Sequence, residues 1–421
     1  MSRLQQIVDL IVTESTERNA QDEISAIVQV LGDVRLSLEE IIKQINEISK
    51  KVKIKEGTNG IKRFLAVLDR YPNKPIRFVS QKSGFPTPIS VAIKNELIKI
   101  GWCEKTPKGN KLSLRGIEAV KELTKTNFDL TCRECDGIGF IFEENKFAKE
   151  LEKFKYYVSM RGAPKTVIDQ SFASAETSLR RILFMNHNYD LIKNNYALIG
   201  DSDLTSLLLS QFLKNDQEIV VFDIDQRLKK IIDIYNKDNS TNIKFVHHDF
   251  RNPIPRSYRG IFDVVLTDPP YTKPGVSLFV SRALEILNQS IGGVIYLSFG
   301  QKPPQEMIKI QKDLLAMNCL VTHILPRFNK YIGAQILAGE SVLYRLEALP
   351  PLTPIIKEKY LNKLYTGDFN PKNRIYVCIN CKNEIIIGKN EKIKTIEELK
   401  EFGCPYCKNN KFKKRYGIRQ K

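Results

Sequence analysis

Two different periods of hydrophobic and polar positions run along the chain. Near the N-terminus, apolar side chains recur every three or four positions, which is the spacing of one face of a helix. This pattern predicts a helical extension over residues 1–52. The extension is either a short coiled coil or dimer-forming hairpin, or an amphipathic helix packed on its own domain. Its apolar positions are Leu31, Val34, Leu38, Ile41, Ile45 and Ile48.

Residues 53–127 predict a winged-helix domain, in which helices precede a two-stranded wing and a last helix follows it. The wing turn would contain Pro107, Gly109 and Asn110. The presumed recognition helix carries only two lysines, beside Glu96, so packing against the substrate domain or dimerisation is favoured over DNA binding. The predicted helices are Ile61–Asp69, Phe78–Ser83, Thr87–Ile100 and Gly116–Leu123, with the wing strands inside Trp102–Leu114.

Between residues 163 and 349 the pattern changes to short apolar runs that alternate with helical periods. This alternation predicts an α/β fold with a doubly wound, mostly parallel sheet. Acidic residues stand just after four of the strands, and the carboxyl ends of parallel strands meet at one ligand-binding crevice. The predicted strands are Tyr196–Ile199, Glu218–Phe222, Lys244–His247, Phe262–Leu266, Gly293–Ser298, Val321–Leu325 and Ser341–Leu346, and the first crossover helices are Leu204–Leu213 and Gln226–Tyr235.

The order of these acidic residues is typical of a Rossmann-like domain of the S-adenosylmethionine type. Asp223 closes the second strand, where a carboxylate can bind both ribose hydroxyls. Asp249 closes the third strand, where an acid commonly meets the adenine amino group. Residues 268–271 close the fourth strand and read Asp-Pro-Pro-Tyr, the tetrapeptide with which amino-methyltransferases of adenine and cytosine hold the target amine and stack on the base.

The first strand leads into an unusually acidic loop, residues 200–205, which read Gly-Asp-Ser-Asp-Leu-Thr. Asp201 and Asp203 would repel the carboxylate of S-adenosylmethionine at close range. Decarboxylated S-adenosylmethionine lacks that group and carries a sulfonium and an ammonium, so the acidic loop suits it. Residues 196–280 hold ten basic and eleven acidic side chains, as a site for cationic substrates requires.

Two CxxC pairs near the C-terminus, separated by 22 residues, predict a structural zinc ribbon over residues 377–421. A linker rich in proline and lysine precedes it over residues 350–376. With four protein ligands the zinc would have no open position, which excludes a catalytic role. The four predicted ligands are Cys378, Cys381, Cys404 and Cys407.

A third pair, Cys132 and Cys135, lies in a connector over residues 128–162. It supplies only two of the four ligands that zinc needs. It could form a second metal site with its twin in a homodimer or with another part of the chain, or the two cysteines could be ordinary thiols on a turn.

Charge and length set the remaining limits on the 421-residue chain. Its 66 Lys and Arg against 48 Asp and Glu give a net charge of +18, which indicates nucleic acid, anionic membranes or acidic partners. Residues 408–421 are basic, and with Phe412 and Tyr416 they could contact RNA or DNA, or form a merely solvated tail. No apolar run reaches the ~18 residues of a membrane helix. The N-terminus resembles neither a signal nor a transit peptide, so we expect a cytoplasmic protein.

Two motifs show a family resemblance. Residues 200–205 and residues 268–272, Asp-Pro-Pro-Tyr-Thr, resemble the signature motifs of branched-chain polyamine synthase, the N(4)-bis(aminopropyl)spermidine synthase family of aminopropyltransferases. Supporting matches are Phe222-Asp-Ile-Asp-Gln-Arg at 222–227 and Tyr-Ile-Gly-Ala-Gln at 331–335. The likeness covers residues 57–347, and Ser202 stands where the family pattern has an aspartate. The helical extension and the ribbon resemble additions to the family core.

The resemblance implies a reaction. The secondary amine of spermidine attacks the aminopropyl carbon beside the sulfonium of decarboxylated S-adenosylmethionine, and methylthioadenosine leaves. A second round on the tertiary amine gives the branched product. A carboxylate beside the reacting nitrogen can hold it and accept its proton, which is typically worth ~10²–10⁴-fold in rate.

Asp203 is the first candidate for this base and Asp268 the second, although Asp203 could also cap the following helix. Tyr271 could place its ring face on a cationic amine. Asp201 and Asp225 would anchor distal ammonium groups. The expected cosubstrate-binding residues are Gly200, Asp201, Asp223, Asp225 and Asp249, and the expected acceptor-binding residues are Asp203, Asp268, Pro269, Tyr271 and Glu176, the last of which is also compatible with plain surface exposure.

Two other classes of function remain open at this point. A nucleic-acid amino-methyltransferase is favoured by Asp-Pro-Pro-Tyr, the winged helix, the ribbon and the basic tail, and disfavoured by the acidic first loop. A nucleic-acid-binding regulator that uses the Rossmann domain as a sensor would bind DNA in a salt-sensitive way and show no turnover.

Overall fold

A computed structural model describes residues 36–415, except 136, 138, 166–167, 193–194, 215–216, 333–338, 370–372 and 389–390. The predicted helical positions before residue 36 and the end of the basic tail, including Tyr416, lie outside the described residues. The chain divides into two compact units. The first contains the described residues up to Phe142 and two short segments within 183–193 and 212–214, and the second contains the rest.

The first unit consists of helices and a hairpin. Helix α1 begins with a capping box, in which the Ser37 hydroxyl accepts the Glu40 N–H and the Glu40 carboxylate accepts the Ser37 N–H. Its apolar face, with Ile41, Ile45 and Ile48, is buried in the core of this unit. The four apolar positions of the heptad pattern that fall within the described residues, from Leu38 onward, therefore pack inside their own unit. The elements are α1 (Leu38–Val52), α2 (Gly57–Arg70), α3 (Ile76–Ser83), α4 (Thr87–Lys99), β1 (Cys103–Thr106), β2 (Gly109–Leu112) and α5 (Leu114–Leu123).

The hairpin turn of this unit requires a glycine. Strands β1 and β2 are antiparallel, with Cys103 opposite Leu112 and Thr106 opposite Gly109. Gly109 has a φ of +143°, and a Cβ there would lie 2.4 Å from the backbone of Lys74. The order of helices and strands agrees with the sequence pattern, and the assignment of this unit as a winged helix stays a prediction.

The second unit contains, among its described residues, an eight-stranded sheet with the strand order β3-β9-β10-β8-β7-β4-β5-β6. Strands β6, β5, β4, β7 and β8 are parallel, whereas β10, β9 and β3 run antiparallel to their neighbours. The α/β prediction is therefore confirmed. The elements are α6 (Ala148–Val158), β3 (Phe172–Ala173), α7 (Ala175–His187), β4 (Tyr196–Ile199), α8 (Thr205–Phe212), β5 (Ile219–Asp223), α9 (Arg227–Asn239), β6 (Ile243–His247), β7 (Val264–Thr267), α10 (Lys273–Ile286), β8 (Gly293–Phe299), α11 (Pro304–Ala316), β9 (Cys319–Ile332) and β10 (Glu340–Ala348).

Strand β9 is much longer than the sequence predicts. The sequence predicts a strand over Val321–Leu325, and the next residue, Pro326, has no N–H to donate to a neighbouring strand. In the structure β9 continues to Ile332. Its outer neighbour, the short strand β3, pairs only with Tyr331 and Ile332. Pro326 therefore lies where the outer edge of β9 is not paired with β3, and its missing N–H is tolerated there. This extension brings Asn329 and Tyr331 to the crevice.

The predicted zinc ribbon is a small sheet of its own. Its strands follow the order β12-β11-β13, with β11 antiparallel to both neighbours. A small apolar core forms around Tyr376, Ile385 and Leu399 together with Cys378 and Cys404. Its elements are β11 (Arg374–Cys378), β12 (Glu384–Ile387), α13 (Ile396–Phe402) and β13 (Phe412–Lys414), and the short helix α12 (Thr366–Phe369) precedes them.

Much of the predicted linker packs on the sheet domain. Leu352, Ile356 and Tyr360 contact its hydrophobic core. Arg282 of α10 is fully buried and donates to the carbonyls of Phe250 at 3.0 Å, Ile356 at 2.9 Å and Glu358 at 2.9 Å. It also pairs with Glu285 on the same helix. The guanidinium of Arg282 thus holds the segment that follows β10 against the sheet domain.

Within the described part of the chain, no helix combines the length and the apolar character that crossing a membrane would require.

The substitution Arg282→Ala is expected to lower the free energy of unfolding by about 3 kcal/mol or more. It leaves buried carbonyls without a donor and removes the closest cation from the buried Glu285 carboxylate. Urea unfolding measures the change. The exposed Arg256 is the control, and its replacement by alanine should stay within about 0.5 kcal/mol of the parent chain. Equal losses for the two variants would contradict the anchoring role of Arg282.

Candidate active site

The acidic loop between β4 and α8 has a backbone that few sequences allow. Gly200 has a φ of +77° and Leu204 a φ of 57°, so the chain enters the left-handed region twice within five residues. The Gly200 N–H donates to the Phe222 carbonyl at 2.9 Å, and the Leu204 N–H donates to the Asp201 carbonyl at 2.8 Å. This geometry turns both carboxylates of the loop inward, so that Asp201 and Asp203 are 3% and 5% exposed.

The first carboxylate of this loop lies beside the carboxylate that closes β5. The N–H of Asp201 donates to Asp223 Oδ2 at 2.9 Å, and the N–H of Asp225 donates to Asp223 Oδ1 at 2.7 Å. Asp201 itself accepts a hydrogen bond from the Ser206 hydroxyl at 2.5 Å. Asp223 is thus held by two backbone donors, and each of its oxygens keeps a further lone pair.

Burial and mutual repulsion disfavour the charged forms of these two groups. Burial is the main cause that raises the pKa of Asp201 to about 8, and the nearby carboxylates of Asp203 and Asp223 add to it while Ser206 opposes it. Burial likewise raises the pKa of Asp223 to about 6 against its backbone hydrogen bonds. The protein groups alone therefore leave the site short of positive charge at this point.

Asp225 is already surrounded by cations. It accepts hydrogen bonds from Lys165 Nζ at 3.0 Å, Gln170 Nε2 at 3.1 Å and Arg227 Nη2 at 2.6 Å. Burial alone would raise its pKa, but these donors, Arg227 first among them, lower it well below the usual range. Asp225 therefore has little capacity left for a substrate ammonium.

Arg181 of α7 joins the two acidic motifs of the site. Its Nη1 donates to Asp203 Oδ2 at 2.9 Å and its Nη2 to Asp268 Oδ2 at 3.2 Å. Its Nε donates to Asn329 Oδ1 at 2.8 Å. The other oxygen of Asp203 accepts the Ala173 N–H at 2.6 Å. Burial would lower the pKa of Arg181, but the facing carboxylates raise it above its usual value, so the guanidinium stays charged.

Asp268 is the carboxylate of the Asp-Pro-Pro-Tyr motif and lies next to two tyrosines. The Tyr331 hydroxyl donates to Asp268 Oδ2 at 2.5 Å, and the Tyr271 hydroxyl donates to Tyr331 at 2.8 Å. The Tyr271 ring contacts Phe299 edge-on, with ring centroids 5.4 Å apart. Burial raises the pKa of Asp268 to about 6, although Arg181 opposes the shift. Asp268 can therefore exchange a proton near neutral pH.

Arg181 and three of these carboxylates line one small cavity of about 40 Å³ at the carboxyl ends of β4, β7 and β8. Its lining joins the acidic loop to the end of β7, so Asp201, Asp203 and Asp268 share one space with Arg181. The remaining lining residues are Leu198, Gly200, Ser202, Thr205, Leu266, Thr267, Tyr296, Ser298 and Leu343.

Other predicted site residues lie further out. Asp249 follows β6 and accepts the Arg251 N–H at 2.9 Å. Glu176, in the first turn of α7, forms an ion pair with Lys155 at 2.6 Å. Neither lines the cavity. Pro269 is buried directly beside Asp268.

Sequence reasoning missed Arg181 and Asn329 and gave Tyr331 no role. Arg181 lies inside an ordinary helical pattern, where an arginine usually indicates a solvated face. Asn329 lies beyond the point where β9 was predicted to end. The only available signal was the match of Tyr331 to a family motif.

The four cysteines of the ribbon form a compact cluster. Their Sγ atoms all lie within 4.8 Å of one another, with two pairs at 3.5 Å, Cys378 with Cys407 and Cys381 with Cys404. Tetrahedral zinc with Zn–S bonds of about 2.3 Å needs sulfur atoms about 3.8 Å apart. The backbone N–H of Asn409 helps to lower the pKa of the Cys407 thiol to about 6, which favours the thiolate. The donor set therefore fits zinc.

Cys132 and Cys135 lie on a separate turn in the first unit. The Cys132 N–H donates to the Gly139 carbonyl at 3.0 Å, and the Gly139 N–H donates to Cys135 Sγ at 3.0 Å. Within the described ranges, the two thiols do not join a third potential metal ligand. A second metal site stays a prediction.

Residues 149–360 match the sequence model of the family described as Branched-chain polyamine synthase A C-terminal domain. An uncharacterized protein of Methanocaldococcus jannaschii is 34% identical over 88% of this chain and 92% of its own length. The N(4)-bis(aminopropyl)spermidine synthase of the same organism is 33% identical over 58% of this chain and 69% of its own.

The same enzyme name belongs to a relative from Thermococcus kodakarensis, 30% identical over 59% of this chain and 71% of that protein. Among solved structures, the branched-chain polyamine synthase of Thermus thermophilus, in complex with N4-aminopropylspermidine and 5'-methylthioadenosine, aligns with a TM-score of 0.49. It is 20% identical and covers 79% of this chain and 99% of that one.

The pKa of Asp201 predicts how stability depends on pH. Because the carboxyl group binds its proton more tightly in the folded than in the unfolded chain, stability should fall as pH rises from about 4 to about 8. In Asp201→Asn this contribution disappears. Its Tm should match the parent below about pH 4 and exceed it by several degrees or more at pH 9, since 1 kcal/mol moves Tm by roughly 2–4 °C in a domain of about 150–250 residues.

Thermal unfolding followed across this pH range tests the expectation. Asp233→Asn, which removes an exposed carboxylate that pairs with Lys229, is the control and should leave the pH profile unchanged. A variant at residue 201 that is less stable than the parent at pH 9 would show that the ionised carboxylate is favourable in the fold.

Proposed function

The chain belongs to the branched-chain polyamine synthase family and is a transferase, and we propose that it transfers aminopropyl groups from decarboxylated S-adenosylmethionine to the secondary amine of spermidine. The observation that carries the proposal is the clustering of Asp201, Asp203 and Asp268 around one cavity. Both proposed substrates are cations. An acidic crevice that is short of positive charge favours their binding electrostatically.

The nucleoside part of the cosubstrate is assigned to the ends of β5 and β6. Asp223 is held by two backbone N–H groups in an orientation that leaves lone pairs for the ribose hydroxyls. Asp249, at the end of β6, is in place to meet the adenine amino group. Asp201 lies between Asp223 and the cavity, where the ammonium of the aminopropyl group would supply the missing positive charge.

The base is assigned to Asp268 rather than to Asp203. Asp203 forms the shorter ion pair with Arg181, at 2.9 Å against 3.2 Å for Asp268, and its side chain is more deeply buried, so it is the less accessible of the two for taking a proton. The hydrogen bonds from Arg181 and Tyr331 both fall on Oδ2 of Asp268, Tyr271 also lies close enough to lower the pKa of this carboxyl group, and Oδ1 is assigned to the acceptor amine. A pKa near 6 suits a general base at neutral pH.

In the first round the unprotonated secondary nitrogen attacks the methylene carbon bonded to the sulfonium. The new C–N bond forms as the C–S bond breaks, and the electron pair of that bond passes to sulfur, giving neutral methylthioadenosine. The nitrogen becomes a protonated tertiary amine, and Asp268 takes its proton.

A second round completes the proposed product. The tertiary nitrogen, once unprotonated, attacks a second cosubstrate molecule and becomes a quaternary ammonium, which carries no proton to remove. The product is N(4)-bis(aminopropyl)spermidine. The names of the relatives from Methanocaldococcus jannaschii and Thermococcus kodakarensis support this proposal, and Ser202 leaves both loop carboxylates in place.

Purified protein incubated with spermidine and decarboxylated S-adenosylmethionine is expected to give two successive mass gains of one aminopropyl unit. Below about pH 6 kcat/KM should fall about tenfold per pH unit as Asp268 becomes protonated. Asp268→Asn should lose ~10²–10⁴-fold in kcat, whereas the exposed control Asp233→Asn should not. Mass spectrometry of the polyamines measures each outcome.

Methyl transfer from S-adenosylmethionine to DNA or RNA, with no gain of mass on spermidine, would replace this proposal by the amino-methyltransferase alternative. Full activity in Asp268→Asn would refute the assignment of the base while leaving the reaction in place.

We also propose that the ribbon holds one structural zinc ion, which would cross-link its two CxxC turns. Cys404→Ser is expected to lower the zinc content by one ion per chain, measured by elemental analysis, and to unfold the ribbon because its apolar core is small. Cys319→Ala, at a buried thiol in β9, is the control and should leave the zinc content unchanged. Equal zinc contents in the Cys404 variant and the parent would contradict the assignment.

A further inference from the structure

We propose that Arg181 is the positioning residue of the reaction: its guanidinium binds Asp203 and Asp268 together, makes Asp203 a fixed structural carboxylate, and presents Asp268 Oδ1 to the acceptor amine. This inference rests on the proposed function. It assigns a role to a residue outside both acidic motifs.

The geometry of the guanidinium supports this role. Arg181 is only 6% exposed, and all three of its nitrogens donate to side chains, with Nη2 also reaching the Tyr331 hydroxyl at 3.4 Å. The partners are Asn329 at 2.8 Å, Asp203 at 2.9 Å and Asp268 at 3.2 Å. They come from β9, the acidic loop and the end of β7. A planar guanidinium with donors in a fixed fork can hold three such groups in one arrangement, which a lysine ammonium does less well.

The charges explain why a cation is needed there. Two carboxylates that face one cavity, Asp203 buried and Asp268 half-buried, repel each other and tend to share a proton. The proton would then occupy the base that the reaction needs free. Arg181 removes this conflict because it offsets one negative charge without itself titrating. Since Arg181 lies closer to Asp203 and the Asp268 side chain is the more exposed of the two, an incoming ammonium is directed to Asp268.

The orientation of Asp268 depends on the same contact. Arg181 and the Tyr331 hydroxyl both bind Oδ2, from two different elements. The Tyr331 hydroxyl also contacts the Ser341 hydroxyl at 3.0 Å and accepts from Tyr271 at 2.8 Å. The titratable and charged groups that face Asp268 are therefore Arg181, Asp203, Tyr331 and Tyr271. Of these, Arg181 alone supplies positive charge.

The sign of the pH effect follows from these neighbours. Arg181 favours the ionised form of Asp268, and Asp203 disfavours it. Removing the arginine alone leaves Asp203 in place, so the acidic limb of the kcat/KM profile should move to higher pH. Removing both the arginine and Asp203 deletes one charge of each sign, so the limb should return toward its original position.

The experiment measures aminopropyl transfer against pH in the full-length chain. Arg181→Gln is expected to move the acidic limb upward by about one pH unit or more and to lower activity at pH 7 by about tenfold or more. Arg181→Lys should restore part of both. Arg180→Gln is the matched control. Arg180 is the residue next to Arg181 on α7, but its side chain pairs with Glu144 and does not line the cavity. The pH profile of this variant should match that of the parent.

The double variant Arg181→Gln/Asp203→Asn keeps the test decisive if Arg181→Gln fails to fold. It should fold, retain measurable transfer and show an acidic limb near that of the parent. If the double variant binds methylthioadenosine normally but transfers no aminopropyl group, Asp203 is the base and the proposal is overturned. An unshifted limb in Arg181→Gln would overturn it as well. If the parent chain itself transfers no aminopropyl group, the proposed function fails rather than this assignment.

Discussion

Repulsion between carboxylates in one poorly hydrated crevice is the constraint on which the rest of the site depends. Strand-end aspartates converge there because parallel strands end at one edge of the sheet. Burial raises the pKa of Asp201, Asp223 and Asp268. The fold compensates with backbone donors, with Ser206 and with Arg181, but only in part. The negative charge that remains without a partner can be neutralised by a cationic substrate. The same carboxylates therefore affect both substrate binding and the stability of the fold.

The aspartates of the site differ in the hydrogen-bond donors and cations that surround them. This difference distinguishes residues of the same type. Asp225 is enclosed by Lys165, Gln170 and Arg227, and Asp203 by Arg181 and the Ala173 N–H. These donors hold both carboxylates in place. Burial raises the pKa of Asp201 to about 8 and that of Asp268 to about 6, a range in which a group can respond to a substrate or accept a proton. Four aspartates of one crevice thus differ through their neighbours alone.

The chain beyond the sheet domain is attached close to this site. The Thr272 hydroxyl, at the end of the Asp-Pro-Pro-Tyr-Thr motif, donates to the Leu364 carbonyl at 2.8 Å. Arg282, on the helix that this motif begins, binds the carbonyls of Ile356 and Glu358. The segment that leads to the ribbon therefore stabilises the helix that begins at this motif.

The sequence by itself determined the alternating strands and helices, the zinc-type cysteine spacing and the acidic residues at the strand ends, because each of these is a local pattern. Only the tertiary structure decided how strongly each carboxylate is neutralised by its neighbours. That depends on Arg181, 22 residues before Asp203, and on Asn329 and Tyr331, which reach the crevice because β9 continues past Pro326. Such partners leave no periodic signal, since a side chain's charge state is set by neighbours distant along the chain.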